Sequence, residues 1–174
     1  MIICSLKNTA KQSALALNPR MQMQFVSLQA VTTLTECSVR TIRRRIADGT
    51  LKCATDEQAY YKTMICFDSI KDDICVTLTP KDLELIEEAD AGDSNAQTDL
   101  ALLFLEKNKP KSAIYWLELA AKQQVADAMQ LLGRCYLEGY GLAKDENLAL
   151  MWISKAASLD HSIAIEQIQA IRQG

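Results

Sequence analysis

Patterns that bind metals or form disulfides are missing from this chain of 174 residues. Its six cysteines include no Cys-x-x-Cys pair, and His161 is its one histidine, so a zinc site with the usual ligand spacing is excluded. Cysteines scattered without a pairing pattern are typical of small buried side chains in a reducing cytoplasm. We therefore expect no metal site and no disulfide framework.

Membrane-spanning and catalytic patterns are missing as well. No stretch approaches the roughly 18 apolar residues that cross a bilayer. The apolar start, residues 1–4, is interrupted at Ser5 and Lys7 before it can form a signal peptide. The sequence shows no phosphate-binding loop, no set of metal ligands and no catalytic triad. These absences predict a cytoplasmic protein that is not an enzyme, needs no cofactor, binds no small-molecule substrate and has no membrane partner.

Charge is distributed unevenly along the chain. Residues 1–75 carry ten basic and seven acidic side chains, whereas residues 76–174 carry nine basic and fifteen acidic ones. A basic N-terminal part followed by an acidic C-terminal part predicts that the two parts have different functions.

The acidic part contains an internal repeat. Residues 116–122 return as residues 152–158, and residues 96–104 return as residues 128–136 after a slightly shorter interval. The second copy has the longer inter-helix connection, at residues 139–142. Self-similarity at about 30 to 40 residues is typical of an α-solenoid, in which each unit is a helix pair that buries its apolar face against its neighbours.

A family resemblance rests on the second copy. The positions that carry it are Ala128, Leu132, Gly133, Tyr136, Gly139, Gly141, Asp145, Trp152, Lys155, Ala156, Ala157 and His161. In this pattern the copy resembles the Sel-one-like repeat, a relative of the tetratricopeptide repeat. The first copy is similar but has a shorter loop, in which Pro110 starts the second helix. The resemblance implies a scaffold or adaptor that binds another protein, and His161 is assigned no catalytic role.

Two half-repeats flank the two copies. Thr79 and Pro80 are expected to start a lone second helix that ends at Gly92, and residues 163–168 match a lone first helix. Gln124 stands at the later position equivalent to Gly92, as does Asp160. Because a left-handed residue is easiest for glycine, we expect those two helix ends to close differently.

Aromatic residues of the repeats are candidates for either a peptide groove or the core. Trp116, Trp152, Phe104 and Tyr136 occupy positions that hold helix pairs together, which favours the core. Tyr140, in the longer loop, is the exposed aromatic residue that we predict to contact a protein partner.

The basic part contains two short amphipathic helices. Ser27 is placed to cap the first and Ser38 the second. The second helix has an apolar stripe that includes Ile42 and Ile46, and Gly49 follows at the distance of a helix end. Two short helices joined by a tight turn, the second rich in arginine, predict a helix-turn-helix.

A second resemblance sharpens this prediction. Residues 27–31, 37–46 and 49–51 resemble the winged helix-turn-helix of MerR-type bacterial regulators and phage excisionases. Residues 51–54 and 60–67 are then predicted as the two strands of the wing, and residues 67–74 as the beginning of a closing helix with Asp68 or Ser69 as its cap. The predicted fold is mostly α: a leader arm (1–24), a winged helix-turn-helix with a small β wing (25–75) and a short α-solenoid of helix-turn-helix repeats (76–174).

The resemblance implies that the second helix enters the major groove of DNA. Arg40 and Arg44, one turn apart on its outer face, are predicted to contact bases or adjacent phosphates, and the other basic residues to neutralise phosphates. The candidate DNA-binding residues are Ser38, Arg40, Thr41, Arg43, Arg44, Arg45 and Lys52. The alternative is an ordinary solvated face, in which Arg43 or Arg45 pairs with Asp48 or Glu36.

The sequence therefore predicts a DNA-binding transcriptional regulator whose repeats dock a protein partner or a second copy of the chain. The alternative is a cytoplasmic adaptor that binds no DNA and uses both parts for protein contacts. The long dimerisation helix of MerR regulators is absent, because the repeat body occupies its place.

Overall fold

The computed structural model describes residues 25–54 and 63–173, which form a small antiparallel sheet and eight α-helices. The predicted leader arm and the turn of the predicted wing lie outside the described residues. The elements are β1 (Phe25–Ser27), α1 (Leu28–Thr35), α2 (Val39–Ala47), β2 (Met64–Cys66), α3 (Pro80–Ala91), α4 (Ser94–Glu106), α5 (Pro110–Lys122), α6 (Ala126–Glu138), α7 (Glu146–Ala157) and α8 (Ser162–Gln173).

The sheet differs from the predicted wing. β2 pairs in antiparallel fashion with β1, a strand that the sequence did not indicate. On its other side, β2 makes only a short pairing with residues 52–54, through an isolated bridge between Cys53 and Ile65. The predicted closing helix is also wrong, because two 3₁₀ turns, Phe67–Ser69 and Lys71–Asp73, take its place.

The two short helices of the N-terminal unit, α1 and α2, begin at local capping signals. The Ser27 hydroxyl accepts from the backbone N–H of Ala30, and the Ser38 hydroxyl accepts from that of Thr41, so both predicted N-caps are confirmed. Glu36 takes a left-handed conformation (φ 54°) at the end of α1, which redirects the chain into α2. α2 then buries Ile42 completely and leaves Arg40, Arg43, Arg44 and Ala47 exposed.

The six remaining helices stack as the predicted solenoid. Thr79 and Asp82 form a capping box and Pro80 occupies the first turn of α3. Two helix pairs follow, α4 with α5 and α6 with α7, and α3 and α8 flank them as lone helices. Of the four aromatic residues predicted for the core, Trp116 and Phe104 lie in it, whereas Trp152 and Tyr136 are only partly buried against it.

The expectation that two helix ends close differently is wrong. Gln124 (φ 63°) and Asp160 (φ 61°) adopt the left-handed conformation, as Gly92 does (φ 110°). The backbone N–H groups at these ends still reach the last-turn carbonyls, for example from Gln124 to Ala121. These hydrogen bonds outweigh the steric penalty of a side chain at positive φ.

Replacing Gln124 by glycine is therefore expected to raise the free energy of unfolding by up to about 1 kcal/mol, because relief of left-handed strain exceeds the extra backbone entropy of glycine. Urea denaturation measures the change. The matched control is Gly92→Ala, which we expect to destabilise by about 1 kcal/mol. A Cβ at Gly92 meets no atom within 4 Å, so that loss reports backbone conformation alone. A destabilising Gln124→Gly variant would contradict the strain argument.

Gly133 marks the closest approach of α6 and α7. A Cβ at this position would lie 2.7 Å from Cγ1 of Ile153 and 3.0 Å from the carbonyl oxygen of Ala149. The equivalent position in the first repeat is Ala101, which is fully buried, so the α4–α5 pair accepts one methyl group more. The two hairpins therefore differ in how closely their helices pack.

Gly133→Ala is expected to lower the free energy of unfolding. Overpacking costs about 1–3 kcal/mol, and the better helix propensity of alanine returns about 1 kcal/mol. Chemical denaturation of this variant and of the converse variant Ala101→Gly should show a loss in both. A gain in stability for Gly133→Ala would mean that α7 can move away at no cost.

His161 has a structural position between two helices. Its Nδ1 accepts from the backbone N–H of Ala164 (3.2 Å), which caps the start of α8. Its Nε2 lies 2.9 Å from a carboxylate oxygen of Asp127 in α6. The residue thus fixes the last helix to the preceding pair.

The N-terminal unit packs mainly on α5. Thr33 of α1 carries this contact, because its carbonyl accepts from the Ser112 hydroxyl (2.8 Å) and its hydroxyl accepts from the Trp116 indole N–H (3.1 Å). A second contact joins Ser27 to α3, where the Ser27 N–H and hydroxyl both donate to the Asp90 carboxylate. α1 therefore lies between α2 and the repeats.

Candidate functional site

The outer face of α2 is a cluster of exposed positive charge. Arg40, Arg43 and Arg44 are exposed, and none of them forms an ion pair with another residue in 25–54 or 63–173. Thr41 is half-buried, and its hydroxyl lies 2.9 Å from that of Ser38 at the start of the helix. We call Arg40, Arg43 and Arg44 the α2 arginine cluster.

Arg45, a fourth arginine of α2, lies apart from this cluster. Its Nη2 pairs with Asp73 at 2.6 Å and its side chain is only 20% exposed, so it fixes the 3₁₀ segment against α2. The predicted alternative partners have other contacts: Glu36 pairs with Lys109, and Asp48 accepts from Thr50.

The environment at the end of α2 stabilises the ionised form of the Asp48 carboxyl group. Hydrogen bonds from Thr50, and then the charges of Arg44 and Arg45, lower the pKa of Asp48 below its usual value. This carboxylate partly offsets the positive charge at the last turn of α2. Lys52 is exposed at the edge of the sheet, where it adds a further charge to the same unit.

A second surface is the groove between α4 and α6. It encloses about 340 Å³ and combines apolar side chains with one exposed Arg134–Glu138 pair, whose side-chain atoms lie 3.5 Å apart. Burial raises the pKa of the Cys135 thiol to about 11, so it stays protonated. The lining residues are Leu102, Leu105, Glu106, Leu131, Arg134, Cys135, Glu138 and Tyr140.

Tyr140 is less exposed than the sequence predicted. Its side chain is half-buried, and its hydroxyl donates to Oδ1 of Asn108 at 2.7 Å. Gly141, next to it, packs so close to Pro110 that a Cβ there would lie 2.8 Å from Cβ of that proline. The longer loop of the second repeat therefore closes onto the turn of the first.

Sequence reasoning missed the residues that join the two units. Thr33, Ser112, Lys109 and Asp90 are ordinary polar residues with no motif of their own. One signal was present: Ser112 replaces the apolar Leu148 of the second copy, which indicates that something polar faces α5 at this position.

Comparison with known families identifies the helix pairs. Residues 94–125, which cover α4 and α5, and residues 126–161, which cover α6 and α7, match the Sel1 repeat family. The two pairs are Sel1 repeats. The resemblance read from the sequence is thereby confirmed for these residues, including the first copy with its shorter loop.

Relatives resemble only part of the chain. Human wolframin is 31% identical over 87 residues, which span 46% of this chain and 10% of wolframin. The crystal structure of c5321, a protective antigen of uropathogenic Escherichia coli with an SLR fold, is 32% identical (TM-score 0.48), covering 50% of this chain and 19% of that one. A Sel1 repeat protein from Oxalobacter formigenes is 33% identical (TM-score 0.45), covering 48% of this chain and 66% of that one. The chain thus spans about a tenth of wolframin and a fifth of the antigen.

Within the part of the chain that the structure describes, every helix is too short or too polar to cross a bilayer.

Proposed function

We propose that this protein is a transcriptional regulator that binds DNA through the α2 arginine cluster and another polypeptide through its Sel1 repeats. The observation that carries the proposal is the exposure of three guanidinium groups on one helix whose opposite side is anchored in the core by Ile42. Exposed cations without a carboxylate partner are available for phosphates, and arginine can also contact guanine edges bidentately.

The charge of the rest of the chain supports binding of DNA by the N-terminal unit and not by the repeats. Residues 76–174 carry a net charge of −6, from nine basic and fifteen acidic side chains. A polyanion approaching the chain is repelled by this body and attracted to the N-terminal unit. In the proposed complex, the cap hydroxyl of Ser38 and the first turn of α2 approach the groove, as the start of a recognition helix does.

A salt series on the full chain tests the proposal. Fluorescence anisotropy with a labelled random-sequence duplex is expected to give a log K that falls with log salt concentration. Three phosphate contacts correspond to a slope of about −2.7, at about −0.9 per phosphate. Absence of binding at low salt, or a slope near zero, would overturn the DNA-binding proposal.

The second candidate function is that of an adaptor without DNA binding, and the groove between α4 and α6 favours it. Leu102 is 38% exposed beside this groove, where an apolar side chain of a partner can bury it. Affinity capture with the wild type, Tyr140→Ala and Leu102→Glu tests this use. Partners retained by the wild type and lost by both variants, together with a flat salt series, would favour the adaptor.

A further inference from the structure

α7 presents an apolar stripe with a cation at one end. Leu148 and Met151 are 37% and 38% exposed, Trp152 is half-buried, and Lys155 follows one turn later. The Lys155 ammonium lies 4.4 Å from the centre of the Trp152 ring, and Lys155 pairs with no carboxylate in the described residues. We call these four residues the α7 face.

The repeat provides an internal comparison for this face. The residues of α5 equivalent to Leu148 and Trp152 are Ser112 and Trp116, which are only 4% and 1% exposed. α1 packs across α5 and covers both residues, because Thr33 accepts a hydrogen bond from each of them. The same face of a Sel1 hairpin is therefore covered by a short helix in one repeat and open in the next.

The residue differences between the two faces indicate what kind of helix fits α7. Trp116 donates its indole N–H to the Thr33 hydroxyl, whereas the indole N–H of Trp152 donates to no acceptor in the described part of the chain. Because Leu148 stands where α5 has Ser112, a helix bound to α7 is expected to place an apolar side chain beside it. Because Lys155 stands where α5 has Leu119, the bound helix is expected to place a carboxylate there.

We propose that the α7 face binds an acidic amphipathic helix of another polypeptide in the way that α1 covers α5. This helix presents an oxygen acceptor to Trp152, an apolar side chain to Leu148 and Met151, and a carboxylate to Lys155.

The contact between α1 and α5 also predicts the direction in which the bound helix runs along α7. Because Glu36 at the end of α1 pairs with Lys109 at the start of α5, the two helices run in opposite senses, and the carboxylate belongs one turn before the acceptor. Nucleic-acid binding is not required for this inference.

The two tryptophans of the chain make a direct test possible. In ¹H–¹⁵N spectra of the full chain, each indole N–H gives one signal, and Trp116 serves as the internal reference. The probe is a helical, lactam-constrained peptide of residues 25–38 with Ala30→Glu, which places a carboxylate one turn before Thr33. The control peptide carries Ala30→Lys and Thr33→Val instead.

The acidic peptide is expected to shift the Trp152 indole signal saturably and to leave that of Trp116 in place. The control peptide should bind at least about five-fold more weakly, because it lacks the acceptor and repels Lys155. Met151→Glu should abolish the shift, whereas Leu102→Glu, at an equally exposed site on α4, should not. A Trp152 signal that stays fixed up to about 1 mM peptide overturns the proposal. So does a Trp152 signal that responds equally to both peptides. A Trp152 signal that shifts with protein concentration alone would mean that a second copy of the chain covers the α7 face, which also overturns the proposal.

Discussion

Trp116→Ala is expected to lower the free energy of unfolding by about 3–5 kcal/mol, the usual range for truncating a fully buried large aromatic side chain. Trp116 is 1% exposed and lies between the first Sel1 repeat and α1. Its loss leaves a cavity between the two units and removes the N–H donor to the buried Thr33 hydroxyl, which keeps only its own bond to the Ala30 carbonyl. One substitution therefore weakens both the repeat and its contact with the N-terminal unit.

The matched control is Trp152→Ala, at the equivalent position of the second repeat. Because Trp152 is half-buried and no helix of the described chain covers it, we expect a loss of about 1–2 kcal/mol. Urea denaturation, followed by circular dichroism, measures both variants. Equal losses would contradict the view that α1 makes the first repeat different from the second. Thr33→Val, which keeps the shape and removes the acceptor, should cost about 1–3 kcal/mol.

Arg40→Glu combined with Arg44→Glu is expected to weaken binding to duplex DNA by about 100-fold or more at low salt. Each change replaces a charge-assisted contact, and a loss of about 1.4 kcal/mol per site already gives this factor. Two fewer phosphate contacts should also make the slope of log K against log salt shallower by about 1.8. Fluorescence anisotropy measures both quantities.

The control for this variant is Lys111→Glu with Lys122→Glu. Both lysines are exposed on α5, and their reversal changes the net charge of the chain by the same amount. We expect a much smaller loss of affinity, because only long-range repulsion increases. Similar losses for both pairs would mean that α2 is not the contact surface. Unchanged binding by the arginine variant would remove the regulator proposal altogether.

Local signals in the sequence predicted where several helices start. Ser27, Ser38 and Thr79 each cap a helix because their hydroxyls need only reach a backbone N–H within the next turn. Pro80 and Pro110 start their helices for the same local reason, since a helix start has free N–H groups anyway. The Sel1 hairpins were predictable because their pattern occurs twice.

Contacts between distant segments could not be predicted in this way. β1 forms because Val26 pairs with Ile65 across the sheet. The residues near Val26 in the sequence do not indicate this pairing. Helical periodicity predicted that Arg40 and Arg44 face outward, but the pairing of Arg45 with Asp73 depends on where the 3₁₀ segment returns. The hydrogen bond of Tyr140 to Asn108 likewise depends on how closely two loops of different repeats approach each other.

The position of α1 limits how this protein can be divided or recombined. A fragment that starts at α3 exposes Trp116 to solvent. A fragment that stops before α3 removes the Ser112 and Trp116 donors from Thr33. Grafting this N-terminal unit onto another array of Sel1 repeats therefore requires a serine and a tryptophan four residues apart on the receiving helix. Chimeras that lack this pair are expected to lose the contact between the two halves, whereas those that copy it keep the two hydrogen bonds to Thr33.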